Sequence, residues 1–359
     1  MSAGFALPPA FRDWIVGAAH GLDSGETPAA EVVPQLAVAG LPGVGVAEAL
    51  GGSGGETFDA VQAIAAVARE SLAAAFMLWG QRSYIEYLLQ TPNRPLLARH
   101  LPDLLSGRVA GASGLSNAMK SLAGLEALQI RARREGDGFI LNGKLPWVTN
   151  LRPAGFHVAA AIEREDGGPA FVAFLASGDE GLVRSADLDT MGMRSSDTAA
   201  LSFTEVRIDE TRILATDADQ WLTQVKPAFI ALQCGLSIGL AHRALDEAAE
   251  RAAVGRSASG AAVRAVRERL RQAEAQLATG LRQRLFERDA AALFELRIEL
   301  ASIVADAVAL ELQTTGGRAY LSSAGRDFGR RWREAAFIPL VTPSLTQMQA
   351  ALVQLRQAA

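Results

Sequence analysis

The stretch Gly138-Phe-Ile-Leu-Asn-Gly-Lys-Leu-Pro-Trp-Val-Thr-Asn150 decides how the chain is read. It follows directly on Gly136-Asp137, so the turn Gly-Asp-Gly closes a hairpin and Phe139-Ile-Leu opens a strand. Upstream, Leu128-Gln-Ile-Arg-Ala-Arg133 alternates apolar and polar residues, the period of a half-exposed strand. Downstream, further strands are predicted at 156–162, 170–175 and 200–206, separated by Gly and Asp clusters. This period-two region runs from about Val109 to Leu214 and predicts a compact antiparallel sheet domain.

On both sides of it the period changes to that of a helix. Residues 60–75 and 77–89 carry apolar side chains three and four apart. Beyond the sheet region, helices are predicted at 221–253, 263–284, 293–313 and 344–357, which pack naturally as a bundle. The glycine-rich piece Gly40-Leu-Pro-Gly-Val-Gly-Val-Ala-Glu48 nearly matches a dinucleotide fingerprint, but Glu48 stands at the third glycine and no strand precedes it. It reads as a tightly turning loop. The expected fold class is therefore mainly α with a central β-domain. Its parts are a helical N-terminal domain (1–108), a β-domain (109–215) and a C-terminal helical bundle (216–359).

Composition narrows the function classes. The chain has 359 residues, 49% of them apolar, which is ample for a buried core. A formal charge of −4 gives no reason to expect nucleic acid or an acidic membrane surface as partner. The single cysteine, Cys234, excludes an intramolecular disulfide and a thiolate metal cluster, and reads as a small core residue. His20, His100, His157 and His242 never fall at metal-ligand spacing, so no metal is expected. The N-terminal residues lack a basic, apolar signal pattern, and the longest apolar run, 228–241, is short and holds Gln233 and Ser237. The expected location is the cytoplasm. Arg264, Arg267, Arg269 and Arg271 crowd one helix against Glu268 alone, and read as a solvated or subunit-facing face.

The order of regions, with four local strings, resembles the acyl-CoA dehydrogenase family of flavoproteins. The first string is 138–150, close to GDGYVLNGxKxWITN. The second is Met191-Gly-Met-Arg-Ser-Ser-Asp-Thr198 with Leu201-Ser-Phe-Thr-Glu-Val-Arg207. The third is Gln313-Thr-Thr-Gly-Gly317, similar to QxxGGxG. The fourth is Arg330-Arg-Trp-Arg-Glu-Ala335, similar to ERxxRDA. The resemblance implies a helical N-terminal domain, a β-barrel-like middle domain and a C-terminal four-helix bundle. It also implies an FAD-dependent oxidoreductase acting on a small molecule of the acyl-CoA kind. In this reading Trp147 and Thr149 meet the flavin ring, near N5. Gln313, Gly316 and Gly317 of a neighbouring subunit wrap its diphosphate, in a homodimer or homotetramer. Arg251 belongs to a further flavin-contacting segment.

Three departures from the pattern bear on function. The family's flavin loop corresponds to Asn117-Ala-Met-Lys-Ser-Leu-Ala-Gly124, where only Asn117 and Ser121 keep polar side chains of suitable size. The segment Arg251-Ala-Ala-Val-Gly255 has Val254 in place of phenylalanine, with Ala262 near the glutamine position. The catalytic glutamate position is taken by Thr342, and a neutral hydroxyl cannot take an α-proton near neutral pH. No Asp or Glu occurs from Ala335 to Ala359, nor between Trp221 and Leu245, where some members carry the base near Phe229. Three readings stay open: a dehydrogenase with a relocated base, a flavin-dependent monooxygenase fed by a separate reductase, and a non-catalytic subunit paired with an intact homologue. Residues Thr342-Pro343 can also simply end one segment before a helix capped by Ser344.

Overall fold

The computed structural model describes residues 5–255 and 259–358. The N-terminal helices are α1 (Pro9–Ser24), α2 (Val32–Val38), α3 (Thr57–Ala68), α4 (Leu72–Leu89) and α5 (Arg94–Leu105). The apolar run expected as one piece over 60–75 is broken at Arg69-Glu70-Ser71. Ser71 takes an extended backbone, and its hydroxyl accepts from Ala74 N–H at 3.3 Å, so the serine starts a new helix instead of continuing the old one. Every residue of α4 from Leu72 to Leu88 is buried, which makes it the central helix of this part.

Strands follow, with one helix among them: β1 (Ala110–Ser113), α6 (Ser116–Leu122), β2 (Ile130–Glu135), β3 (Gly138–Val148), β4 (Phe156–Arg164), β5 (Phe171–Ala176), β6 (Leu182–Asp187), β7 (Ala199–Asp209) and β8 (Ile213–Ala215). They run in the order β6-β7-β3-β2-β4-β5-β8, with β1 added beside β4. The expectation of a purely antiparallel sheet is corrected here. β4 pairs in parallel with both β1 and β2, because the chain returns through α6 and the β2–β3 hairpin before β4 is laid down. The β3–β7 register slips between Leu141 and Gly143, and again between Leu145 and Val148. Gly143 permits the first slip: its φ is +148°, and a Cβ there would lie 2.2 Å from the Gln129 carbonyl.

The remaining elements are α7 (Ala218–Gly255), α8 (Gly260–Arg282), α9 (Leu285–Arg288), α10 (Ala290–Thr315), α11 (Arg326–Phe337) and α12 (Leu345–Ala358). α7 packs against α3, α4, α8 and α10. Among the described residues it is the helix long and apolar enough to cross a membrane, and 83% of that window is buried inside the protein. Cys234 lies wholly within this core. The arginines of α8 are largely paired: Arg269 bonds Glu299 and Asp306 of α10, Arg267 bonds Asp246 of α7, and Arg271 bonds Glu268.

α11 was absent from the helices expected from periodicity, yet it ties the parts together. Arg330 bonds Glu334 at 2.8 Å, and the same carboxylate accepts the Leu72 N–H of α4 at 3.0 Å. Arg331 makes a buried pair with Glu311 of α10, at 3.0 and 3.2 Å from its Nε. Arg333 reaches the buried Asp23 of α1 at 3.0 Å, and Asp23 also accepts the Met193 N–H at 2.9 Å. The charge-rich string 330–335 is a hub of the fold.

Candidate functional site

The site is built from the end of β3. Trp147 lies within the second register slip and is 59% exposed, while Val148 is buried in the core. Thr149 follows the last residue of β3 and is half-buried. The backbone then reverses at Asn150, φ +66°, where asparagine is better tolerated than most residues. Asn150 is wholly buried, and its Nδ2 donates to Gln81 Oε1 at 3.0 Å and to the Gly111 carbonyl at 2.8 Å. Gln81 of α4 in turn accepts the Gly111 N–H at 2.7 Å and donates to the Leu104 and Val109 carbonyls at 2.8 and 3.1 Å. Helix α4 thus anchors the end of β3.

A second segment is zipped onto the first. The N–H groups of Asn150 and Leu151 donate to the carbonyls of Ser196 and Asp197 at 3.1 and 2.9 Å. Thr149 Oγ1 lies 2.9 Å from Thr198 Oγ1, which lies 2.8 Å from Ser196 Oγ. Asn150, Met193 and Asp197 all have positive φ (66°, 56° and 47°), so strained non-glycine residues gather here, as they do at functional sites. Burial and the nearby Asp187 push the Asp197 carboxyl up to about 6, against the pull of Arg184 and Arg152. The arrangement offers a flat, accessible indole beside a positioned hydroxyl. That donor set suits a planar, hydrogen-bonding ring such as a flavin.

The other expected cofactor residues lie elsewhere on the surface. Gln313, Gly316 and Gly317 are exposed at the C-terminal end of α10, and a Cβ at either glycine would meet nothing within 4 Å. The Gly316 N–H already donates to the Leu312 carbonyl and caps α10, so it is spent, whereas Gly317 sits in open space one residue on. Arg251 is exposed in the last turns of α7. The Val254 side chain lies outside the described residues, and Ala262 is exposed on α8. The stretch expected as the flavin loop, 117–124, is instead mostly the helix α6. Asn117 there is buried and turned inward, with Nδ2 on Glu126 and the Ala127 carbonyl and Oδ1 on the Gln129 N–H, so it braces its own loop.

Thr342 lies just before α12. Its hydroxyl accepts from Ser116 Oγ at 2.9 Å, and its carbonyl accepts from Gln233 Nε2 at 2.9 Å. Gln233 is held by Arg297 Nε at 2.8 Å, and Arg297 also donates to the Ile338 carbonyl at 2.8 Å. Arg297 is fully buried, and burial holds its pKa below the usual arginine value. Thr342 is therefore met by the Ser116 hydroxyl and the Gln233 amide, with Arg297 behind that amide, and no carboxylate takes part in any of these contacts. Ser344 accepts the Gln347 N–H and caps α12 as expected. Phe229, the other possible base position, is buried against Trp79 at 5.0 Å, which stacks on Phe76 at 5.3 Å. Burial pushes the Cys234 thiol up to about 12, so it is inert. Among the described residues no group of three or more His, Cys, Asp or Glu could hold a metal ion. Sequence reading missed Gln81, Asn150, Gln233 and Arg297 as site supports; Gln233, a lone polar residue in the apolar run 228–236 of α7, carried the visible signal.

Helices, a mixed sheet and a further set of helices, with this strand-end site, define the acyl-CoA dehydrogenase fold. In sequence and in fold the chain is similar to acyl-CoA dehydrogenases. Residues 13–108 match the family model of the acyl-CoA dehydrogenase N-terminal domain. The probable acyl-CoA dehydrogenase YngJ of Bacillus subtilis (strain 168) is 30% identical over 246 residues, 64% of this chain and 61% of that protein. The chain thus matches less than two thirds of that relative's length. Among solved structures, glutaryl-coenzyme A dehydrogenase in its glutaryl-CoA complex superposes with a TM-score of 0.82 at 19% identity, covering 98% of this chain and 97% of that one. KijD3 in complex with FMN and an amino-deoxysugar nucleotide superposes with a TM-score of 0.80 at 20% identity, covering 97% and 91%.

Proposed function

We propose that this protein is a flavin-dependent oxidoreductase that takes FAD against Trp147 and Thr149, and whose chemistry does not use residue 342 as a proton acceptor. The observation that supports the second half is the Ser116–Thr342–Gln233–Arg297 chain of contacts, in which a hydroxyl and an amide meet the residue where the resemblance puts a carboxylate. When bound, a flavin supplies an acceptor for two electrons. The chain's own part is to present the indole as a wall and to aim the Thr149 hydroxyl, which Thr198 holds by its own hydroxyl. Without a carboxylate, removal of an α-proton from an acyl thioester forfeits the roughly 10²- to 10⁴-fold that a general base contributes. That favours a substrate needing no such base, as in the monooxygenase reading, over straight-chain acyl-CoA. KijD3, with its FMN and nucleotide sugar, illustrates the range of ligands on this fold. We place the protein in the cytoplasm as a homo-oligomer whose Gln313–Gly317 segment completes a neighbour's flavin site.

The test is spectroscopic. Purified protein incubated with FAD, then freed of excess, should retain flavin absorbance; Trp147→Ala and Thr149→Val should each weaken retention about tenfold. Anaerobic mixing with a panel of acyl-CoAs should leave that absorbance unbleached on the scale of seconds. Failure to retain either FAD or FMN in a folded oligomer overturns the flavin reading, and rapid bleaching overturns the statement about residue 342.

A further inference from the structure

Thr342 is half-buried, and one hydrogen bond sets the role of its hydroxyl. Ser116 donates into Thr342 Oγ1 at 2.9 Å, which occupies a lone pair and leaves the Thr342 proton to be given away. Among the described residues no protein group accepts that proton. The pair adjoins the end of β3: Gly114, two residues before Ser116, lies so close that a Cβ there would stand 2.6 Å from the Leu145 side chain, and Leu145 is two residues from Trp147.

The backbone of residue 342 is fixed from behind. Gln233 Nε2 donates to the Thr342 carbonyl at 2.9 Å, and Arg297 dictates that orientation of the amide by donating from Nε to Gln233 Oε1 at 2.8 Å. Arg297 Nη2 holds the Ile338 carbonyl at 2.8 Å, while Nη1 is buried and has no partner. Three other buried arginines, Arg82, Arg330 and Arg331, each face a carboxylate, of Glu86, Glu334 and Glu311. Among the described residues no acid pairs with Arg297. A buried charge without a counter-charge is costly, and this one lies a single amide away from residue 342, where its field favours an electron-rich atom. Apolar surface is near: Phe337, next to the tethered Ile338, packs on Phe76 at 4.8 Å, and Phe229, one turn before Gln233, on Trp79 at 5.0 Å.

We propose that residue 342 is a donor site: the Thr342 hydroxyl gives its proton to a carbonyl or carboxylate oxygen of the substrate. Ser116, Gln233 and Arg297 are the positioning residues behind it. The proposal rests on the flavin reading for what becomes of that substrate, and gives the substrate's class: a compact molecule with an acceptor oxygen at this point.

Two measurements test it. In Thr342→Cys, without flavin, the pH dependence of alkylation by iodoacetamide reports how far the site favours a thiolate, with Cys234 buried out of reach. Adding Arg297→Met should raise the alkylation midpoint by about half a pH unit or more, and Arg297→Lys, which keeps the charge, should recover most of that shift. Ser116→Ala, a mild change at a half-buried residue, should raise it similarly and keeps the test decisive even where Arg297→Met does not fold. In the otherwise unchanged FAD-loaded chain, acetophenone and benzoate are titrated as the carbonyl and carboxylate probes, with benzylamine as control. Thr342→Val should weaken the better probe at least tenfold and Thr342→Ser less than threefold, while benzylamine should not compete. A tighter acetophenone assigns a carbonyl, and a tighter benzoate a carboxylate. Midpoints unmoved by Ser116→Ala and by Arg297→Met overturn the positioning roles; undiminished binding by Thr342→Val, or no binding of either probe, overturns the donor site. Since the thiol titration needs no flavin, shifted midpoints in a protein that does not retain FAD overturn the flavin reading alone.

Discussion

His157 and Asp197 show at the residue scale how burial sets a pH response. His157 on β4 packs against His100 of α5 at 4.8 Å, Phe174 of β5 at 5.1 Å and Tyr84 of α4 at 6.2 Å. Burial, then the neighbouring His100 and Arg212, lower it to about 4. In the unfolded chain it titrates near 6.5, so acidification through 6.5 protonates the unfolded state first. The folded state therefore loses stability between pH 6.5 and about 4, by at most about 3 kcal/mol. Asp197 works in the opposite sense. Its folded-state pKa of about 6 lies above the unfolded value, so its stabilising contribution is full at low pH and is lost as pH rises from about 4 to 6. The two slopes oppose each other in the parent protein. Urea unfolding from pH 7 to 4.5 should separate them: His157→Phe should gain stability on acidification relative to the parent, and Asp197→Asn should lose it. Parallel curves for all three would show that these groups do not set the response.

At the scale of elements, Trp147 and Thr149 were legible because the string that holds them, Trp147-Val-Thr-Asn150, resembles a family pattern. Their support was not. Asn150 stands in the same string, but its role depends on Gln81, 69 positions earlier, meeting it across the fold. Local pattern carries no information about such a partner. The same holds for α11, whose short apolar content hides a helix stabilised by long-range ion pairs. The break between α3 and α4 was obscured because the alanine-rich run around it suits a helix throughout; Glu334 explains why the new helix starts where it does, by accepting the Leu72 N–H. Glu334→Ala should leave Arg330 buried without its acid and Leu72 N–H without its acceptor. The expected cost is about 3–5 kcal/mol in the urea midpoint, the range for breaking a buried pair. Glu334→Gln, which keeps an acceptor for Leu72, should cost less. Equal losses would place the whole effect in the charge.

At the scale of the molecule, the segments proposed to hold the cofactor lie on different parts of the chain. Trp147 and Thr149 stand at the end of the sheet, while Gln313–Gly317 leads into a turn that packs on α10 and α11. That turn is followed by Tyr320 and Leu321, 90% and 59% exposed, and Trp332 and Leu340 of the same region are 50% and 67% exposed. Large apolar side chains left open beside a glycine with free space around it suit a surface that a second copy covers. If a neighbour's Gly317 completes the flavin site, flavin affinity and assembly are linked, because binding to the assembled form alone shifts the equilibrium toward it. Diluting the flavin-loaded protein through the dissociation range should then release flavin in step with subunits. Ultracentrifugation detected at the flavin and protein wavelengths follows both. Gly317→Glu, at a position where a side chain meets nothing in the monomer, should leave the fold and its melting intact and weaken flavin retention at least tenfold. Its added charge would lie where the resemblance places a diphosphate. A monomer that keeps its flavin at nanomolar concentration would show that one chain binds the cofactor alone, and that the exposed turn serves another end.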